Sequence, residues 1–250
     1  MFASVVGADS RGVRDDSARV VAGDGQEGDG RPSTRARNAL NCHFGPEPHD
    51  VSSCSGYRRN VTIGIEDAYR RALDAFGMRV HLIKPGQWDL PTPCVDWDVH
   101  ALVNHLVYES LWAPELLAGR SPAEVGDVFD GDLIGDDAVK AFDFAAHAAV
   151  TAASAEGVLD RTVHLSFGDV PGREYVTELF ADALIHTWDL SNAIGVADRL
   201  DPELVSLCAA WFADSEEGYR SSGIIGGHVP VPENADPQTR LLAAWGRRAY

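Results

Sequence analysis

The chain has 250 residues, with 21 Lys/Arg against 38 Asp/Glu and a formal net charge of −17. A protein this acidic repels phosphate backbones and anionic lipid surfaces, so neither nucleic acid nor a membrane is an expected partner. No apolar run approaches the ~18 residues that cross a bilayer, and no charged-then-apolar leader opens the sequence, so the expected location is cytoplasmic.

Residues 1–60 hold eight Lys/Arg and eight Asp/Glu, no Trp, and no Tyr before Tyr57. Apolar periodicity is absent there, as in chains that cannot bury enough surface to order themselves. This segment is expected to be a disordered extension, or upstream sequence included by a misassigned start. The folded domain is then 61–250, which carries the whole net charge. Cys42, His43, His49 and Cys54 fit no standard zinc spacing, and the four cysteines do not form a disulfide framework in a chain of this size.

The first expected helix is Ile63–Met78, with Ile65, Tyr69, Leu73 and Phe76 on one side. Pro91-Thr-Pro-Cys-Val-Asp-Trp97 then breaks the chain, with Asp96 as the expected N-cap of a second helix, Trp97–Leu117. Val99, Leu102, Val103, Leu106 and Val107 follow the spacing of a core-facing stripe, and Pro114 should kink or end the helix near Ala113. His105 lies at the border of that stripe. Gly119–Asp132 reads as loop, and Asp136–Glu156 as a third helix packing through Val139, Phe142, Ala146, Ala149 and Val150, with His147 at its edge as a structural residue. Thr162–Phe167 alternates with period two and predicts a short strand before the turns at Gly168 and Pro171.

A fourth helix, Gly172–Ile194, ends at Gly195, a C-cap residue. Asp201–Tyr219 and a short terminal helix follow, joined by a Gly/Pro-rich connection in which Gly223-Ile-Ile-Gly-Gly227 lacks the context of a dinucleotide loop. The expected architecture is mainly all-α. It is a four-helix up-down bundle with one crossover, a short β-excursion and extra C-terminal helices.

Within the fourth helix, Glu178, Asp182, His186 and Asp189 fall in one strip about 80° wide. Strips of this kind are commonly solvated, but here apolar residues cover most of the remaining circumference. The strip therefore points to a pocket or a crevice between helices. Asp182 and His186 are one turn apart, close enough to reach one divalent ion, and His105 on the second helix offers a further imidazole in the manner of bundle-core metal sites.

Trp88-Asp-Leu-Pro-Thr-Pro-Cys-Val-Asp-Trp-Asp-Val-His-Ala-Leu-Val-Asn-His105 resembles the opening signature of actinobacterial metal-binding proteins related to mycothiol-dependent maleylpyruvate isomerase, within the DinB-like four-helix-bundle superfamily. Pro171-Gly-Arg-Glu-Tyr175, Asp182–Leu190, Ala235–Leu242 and Gly246-Arg247 extend the resemblance over about three quarters of the chain. It implies a metal held by His105, Asp182 and His186, with Asp182 standing where the family more often has Glu. Zinc is the first expectation, and nickel or iron suits the same donors. The resemblance further implies mycothiol as the thiol cofactor of an isomerase or transferase acting on an electrophilic substrate, and allows a homodimer.

Three protein ligands leave a coordination position open, which suits thiol chemistry, hydrolysis, or small-ligand binding without turnover. A thiol-transfer site also needs cationic groups, and Arg173, Arg240, Arg247 and Arg248 are the candidates. Cys94 precedes the His105 helix as a structural thiol that could lie near the site. Glu109 and Asp189 each lie one turn from a candidate histidine, either as a further ligand or as a hydrogen-bond partner fixing the imidazole tautomer.

Overall fold

The computed structural model describes residues 63–221 and 225–249. The expected extension 1–60, with Cys42, His43, His49 and Cys54, lies outside these residues, as do three residues of the connection after residue 221.

The chain is mainly helical: α1 (Ile65–Val80), α2 (Val99–Leu117), the single turn α3 (Pro122–Val125), α4 (Ala138–Ala153), a 3-10 turn (Val158–Asp160), a two-stranded hairpin of β1 (Thr162–Leu165) and β2 (Gly168–Pro171), α5 (Gly172–Ile194), α6 (Pro202–Ser221) and α7 (Pro237–Ala244). Four helices form the bundle. α1 packs on α5 and α4, and α2 packs on α4 and α5. The expected crossover is the connection 81–98, which joins α1 to α2 although their main partners are other helices. The hairpin likewise leads from α4 to α5 without making them close neighbours.

The apolar stripes read from sequence are the core. Ile65, Tyr69, Leu73 and Phe76 of α1 are buried, as are Val99, Leu102, Val103, Leu106 and Val107 of α2. Phe76 meets Phe142 of α4 with ring centroids 5.2 Å apart, so truncating Phe76 to Ala should cost about 3–5 kcal/mol through lost packing and a cavity. α5 is buried from Tyr175 to Ser191 on every side, because its apolar arc packs into the bundle while its polar strip is enclosed as well.

Local details differ from the sequence expectation: the expected loop Gly119–Asp132 contains the helical turn α3, and Gly168–Pro171, expected as turns, forms the second strand of the hairpin. The N-cap of α2 is Asp98, whose Oδ1 accepts from the Ala101 amide at 2.8 Å, while Asp96 sits in the turn before it with φ 70°. Asp tolerates that left-handed conformation and thereby ends the turn two residues before the helix. α2 also runs three residues past Pro114. Leu116 and Leu117 are buried in the core, and their burial offsets the one hydrogen bond that a proline near a helix end removes. His147, expected as a structural residue, is exposed.

Two glycines are needed where they stand. A Cβ on Gly172 would lie 2.2 Å from the Val158 carbonyl oxygen, so only glycine lets the start of α5 approach the 3-10 turn. Gly195 closes α5 with φ 70°, the left-handed C-cap that glycine adopts without strain.

Candidate metal centre

The turn before α2 is built to hold side chains over α5. The Thr92 hydroxyl donates to the Trp97 carbonyl at 2.9 Å and accepts from the Cys94 amide at 3.1 Å. The Trp97 amide donates to the Cys94 carbonyl at 3.2 Å. Cys94 is thereby turned inward and buried, and Trp97 lies over both candidate histidines, with centroid distances of 4.7 Å to His105 and 5.7 Å to His186.

Beneath this lid, α2 and α5 bring His105, Asp182 and His186 together. One ligand atom from each lies within 4.8 Å of the others, and all three residues are buried. His105 Nε2 and Asp182 Oδ2 are 3.1 Å apart. Asp182 Oδ1 lies 3.1 Å from His186 Nε2, yet at an angle that makes no hydrogen bond, which leaves this buried oxygen without a partner. The two groups attract as charges, and the oxygen is placed to face an ion as well. The donor set, two imidazoles and a carboxylate converging from two helices, fits a divalent transition metal.

The other side of His186 is fully engaged. Its Nδ1 lies 2.9 Å from Asp189 Oδ2; a carboxylate only accepts, so Nδ1 donates and Nε2 is the nitrogen turned toward Asp182. Asp189 in turn accepts from Arg247 Nε at 3.2 Å and from an Arg247 terminal nitrogen at 2.8 Å. Cys94 Sγ donates to Asp189 at 3.2 Å and accepts from Arg247 at 3.2 Å. Cys94, His186 and Asp189 thus form a second group with metal-ligand spacing, but Arg247 already supplies its positive charge.

Burial and charge set the protonation states. Burial alone would raise the Asp182 and Asp189 carboxyls; the two imidazoles hold Asp182 well below the usual carboxylate range, and Arg247 with His186 does the same for Asp189. Burial would lower His186, but Asp182 and Asp189 outweigh it and raise the imidazole above its ordinary range. For His105 burial wins, and the imidazole stays neutral. An incoming cation therefore meets one proton to displace, on His186 Nε2.

Two more carboxyls line the same strip. Glu178 is buried and accepts from the Tyr219 hydroxyl at 3.1 Å; burial pushes it up to about 7. Glu109, one turn along α2 from His105, is buried with neither oxygen hydrogen-bonded, and burial followed by repulsion from Asp182 and Glu178 raises it far above the ordinary range.

The family of mycothiol maleylpyruvate isomerase N-terminal domains matches residues 69–191, a stretch that contains His105, Asp182 and His186 and stops short of Arg247. Two uncharacterised proteins of Mycobacterium tuberculosis, from strains CDC 1551 / Oshkosh and ATCC 25618 / H37Rv, are each 33% identical over 186 residues, covering 72% of this chain and 96% of the relative. This chain belongs to that family. No solved structure matches it.

Of the arginines named from sequence as candidates for holding a substrate, Arg247 is buried against Asp189. Arg240 donates to the Glu233 carbonyl, and Arg173, Arg240 and Arg248 are exposed. Sequence reasoning missed the latch that Arg247 makes, 58 residues from Asp189. The Gly246-Arg247 motif was its one visible signal. A groove of about 690 Å³ between α1 and α4, lined by Leu73, Met78, His81 and Phe142 among others, contains none of the candidate ligands. Among the described residues, no helix is long and apolar enough to cross a membrane.

Proposed function

We propose that the protein binds one divalent ion through His105, Asp182 and His186 and acts as a metal-dependent transferase or isomerase using a low-molecular-weight thiol of the mycothiol type. The observation that carries this reading is the pair of faces on His186. Nδ1 is pinned by Asp189, while Nε2 faces the partnerless oxygen of Asp182. Zinc is the expected ion, with nickel or iron suited to the same donors. Such an ion supplies a Lewis-acid position at which a thiol loses its proton near neutral pH. The chain contributes the orientation of His186 through Asp189 and Arg247, and the exclusion of water by Trp97 and the buried walls of α2 and α5.

A second reading, a metal-containing bundle that binds a small ligand without turnover, is favoured by one observation. The buried arginine beside the site is already paired with Asp189, so it is not a ready holder for a substrate anion. Cobalt-loaded protein separates the readings. Added mycothiol or a simple thiol should produce a sulfur-to-cobalt charge-transfer band in wild type that is absent in His105→Ala, and consumption of thiol with an electrophile should follow. A cobalt spectrum untouched by millimolar thiol would remove the transferase reading.

A further inference from the structure

We propose that Glu109 is a fourth protein ligand of this ion, entering its coordination sphere when the ion binds. The inference rests on the metal-binding reading above and adds a residue to it. α2 carries His105 and Glu109 one turn apart, as α5 carries Asp182 and His186, so each helix can present an imidazole and a carboxylate on one face. Glu109 is 4% exposed, and both of its oxygens are buried without a hydrogen-bond partner.

Its neighbours show what a satisfied carboxyl looks like here. Glu178 has the Tyr219 hydroxyl, and Asp189 has Arg247, Cys94 and His186. Glu109 has none of these, and it does not bond to His105, which rules out the tautomer-fixing role that sequence alone left open. A buried polar group without a partner destabilises a fold, and an apolar residue of the same size would not. Such a group in a well-packed bundle therefore calls for a partner that arrives later. Asp182 and Glu178 repel a negative charge at Glu109, and Tyr69, Tyr108 and Tyr175 share its surroundings. A divalent cation reverses that repulsion. The carboxyl stands outside the set of donor atoms that lie within 4.8 Å of one another, so ligation requires rotation about Glu109's own side-chain bonds.

The test is calorimetric titration of zinc into the metal-free full-length protein, for wild type and Glu109→Gln, together with visible spectra of the cobalt-loaded proteins. The variant should bind at least about tenfold more weakly, as for loss of a group that supports a metal. Its cobalt ligand-field bands should also differ from those of wild type, because a carboxylate donor has been lost from the coordination sphere. In the metal-free state the melting temperature of Glu109→Gln should equal or exceed that of wild type. Equal affinity and identical cobalt spectra in the two proteins would overturn the proposal while leaving the three-residue site intact. Weaker binding with an unchanged cobalt spectrum, or accompanied by a lower metal-free melting temperature, would mark a structural role and overturn it too. Wild type that binds no zinc would instead sink the metal-binding reading, and this inference with it.

Discussion

The two sides of His186 are chemically similar and electrostatically opposite. On the Nδ1 side stand Cys94 and Asp189, and on the Nε2 side stand His105 and Asp182; both groups have the spacing of a metal site. Arg247 fills the first with a guanidinium, donating to both oxygens of Asp189 and to the Cys94 sulfur. Among the described residues the second holds no arginine or lysine, only the displaceable proton of His186, and it has an unpartnered carboxylate oxygen and adjoins the unpartnered Glu109. The difference teaches that ligand spacing alone does not make a metal site. A cluster whose charge the protein already compensates is a support, and a cluster left electrically unfinished is where a cation belongs.

The sharpest way to break this comparison is to remove ligands from each side. His186→Ala should leave less than about a tenth of an equivalent of metal after reconstitution, since a strong neutral donor is gone. Asp182→Asn should retain more, because the amide oxygen still coordinates weakly. Equal loss in the two would show that the carboxylate charge of Asp182 matters as much as the imidazole. Affinity in wild type should also fall as pH is lowered, because the proton that Asp182 and Asp189 hold on His186 competes with the ion.

Next in size is the support itself. Asp189 is fully buried, so Arg247→Met should leave an uncompensated interior charge and cost about 3–5 kcal/mol of unfolding free energy. Replacing Asp189 by Leu in the same chain should recover most of that stability without restoring metal affinity, because His186 Nδ1 would still lack its acceptor. Chemical denaturation and metal titration of the single and double variants measure the two effects separately. Recovery of both together would mean that the latch serves the fold and not the ligand.

A smaller effect belongs to Glu178. Its folded-state pKa is raised from 4.5 to about 7, with burial as the largest cause. A raised carboxyl contributes stability that is present below its unfolded value and lost as pH rises through the folded one. Wild type should therefore lose about 3 kcal/mol relative to Glu178→Gln between pH 4.5 and about 7. Melting curves of both proteins across that range check the sign, and parallel curves would show that Glu178 ionises freely.

The smallest expected change comes from Cys94→Ala, which should alter stability by about 1 kcal/mol or less and leave metal content at one equivalent. Loss of the metal in this variant would assign the ion to the Nδ1 side and invert the comparison.

The periodicity of α1, α2 and α5 was legible because an apolar stripe at 3.6-residue spacing is a local property, and Ile65, Tyr69, Leu73 and Phe76 needed no knowledge of their partners to be read as core. The strip Glu178–Asp182–His186 was legible for the same reason, as was the one-turn spacing of His105 and Glu109 on α2. The exact cap of α2 was not, since Asp96 and Asp98 are equally good capping residues and only the backbone turn, with Asp96 at φ 70°, selects between them. Nor could the chain alone say which of four arginines would matter. Arg247 reaches Asp189 across 58 residues, and that contact exists because the C-terminal segment returns to the end of α5. Sequence determined which side chains share a helix face. Tertiary structure decided which of those faces meet, which charges are compensated, and that Cys94 and Trp97 close over His186, because long-range pairing depends on how the helices pack and not on any spacing along the chain.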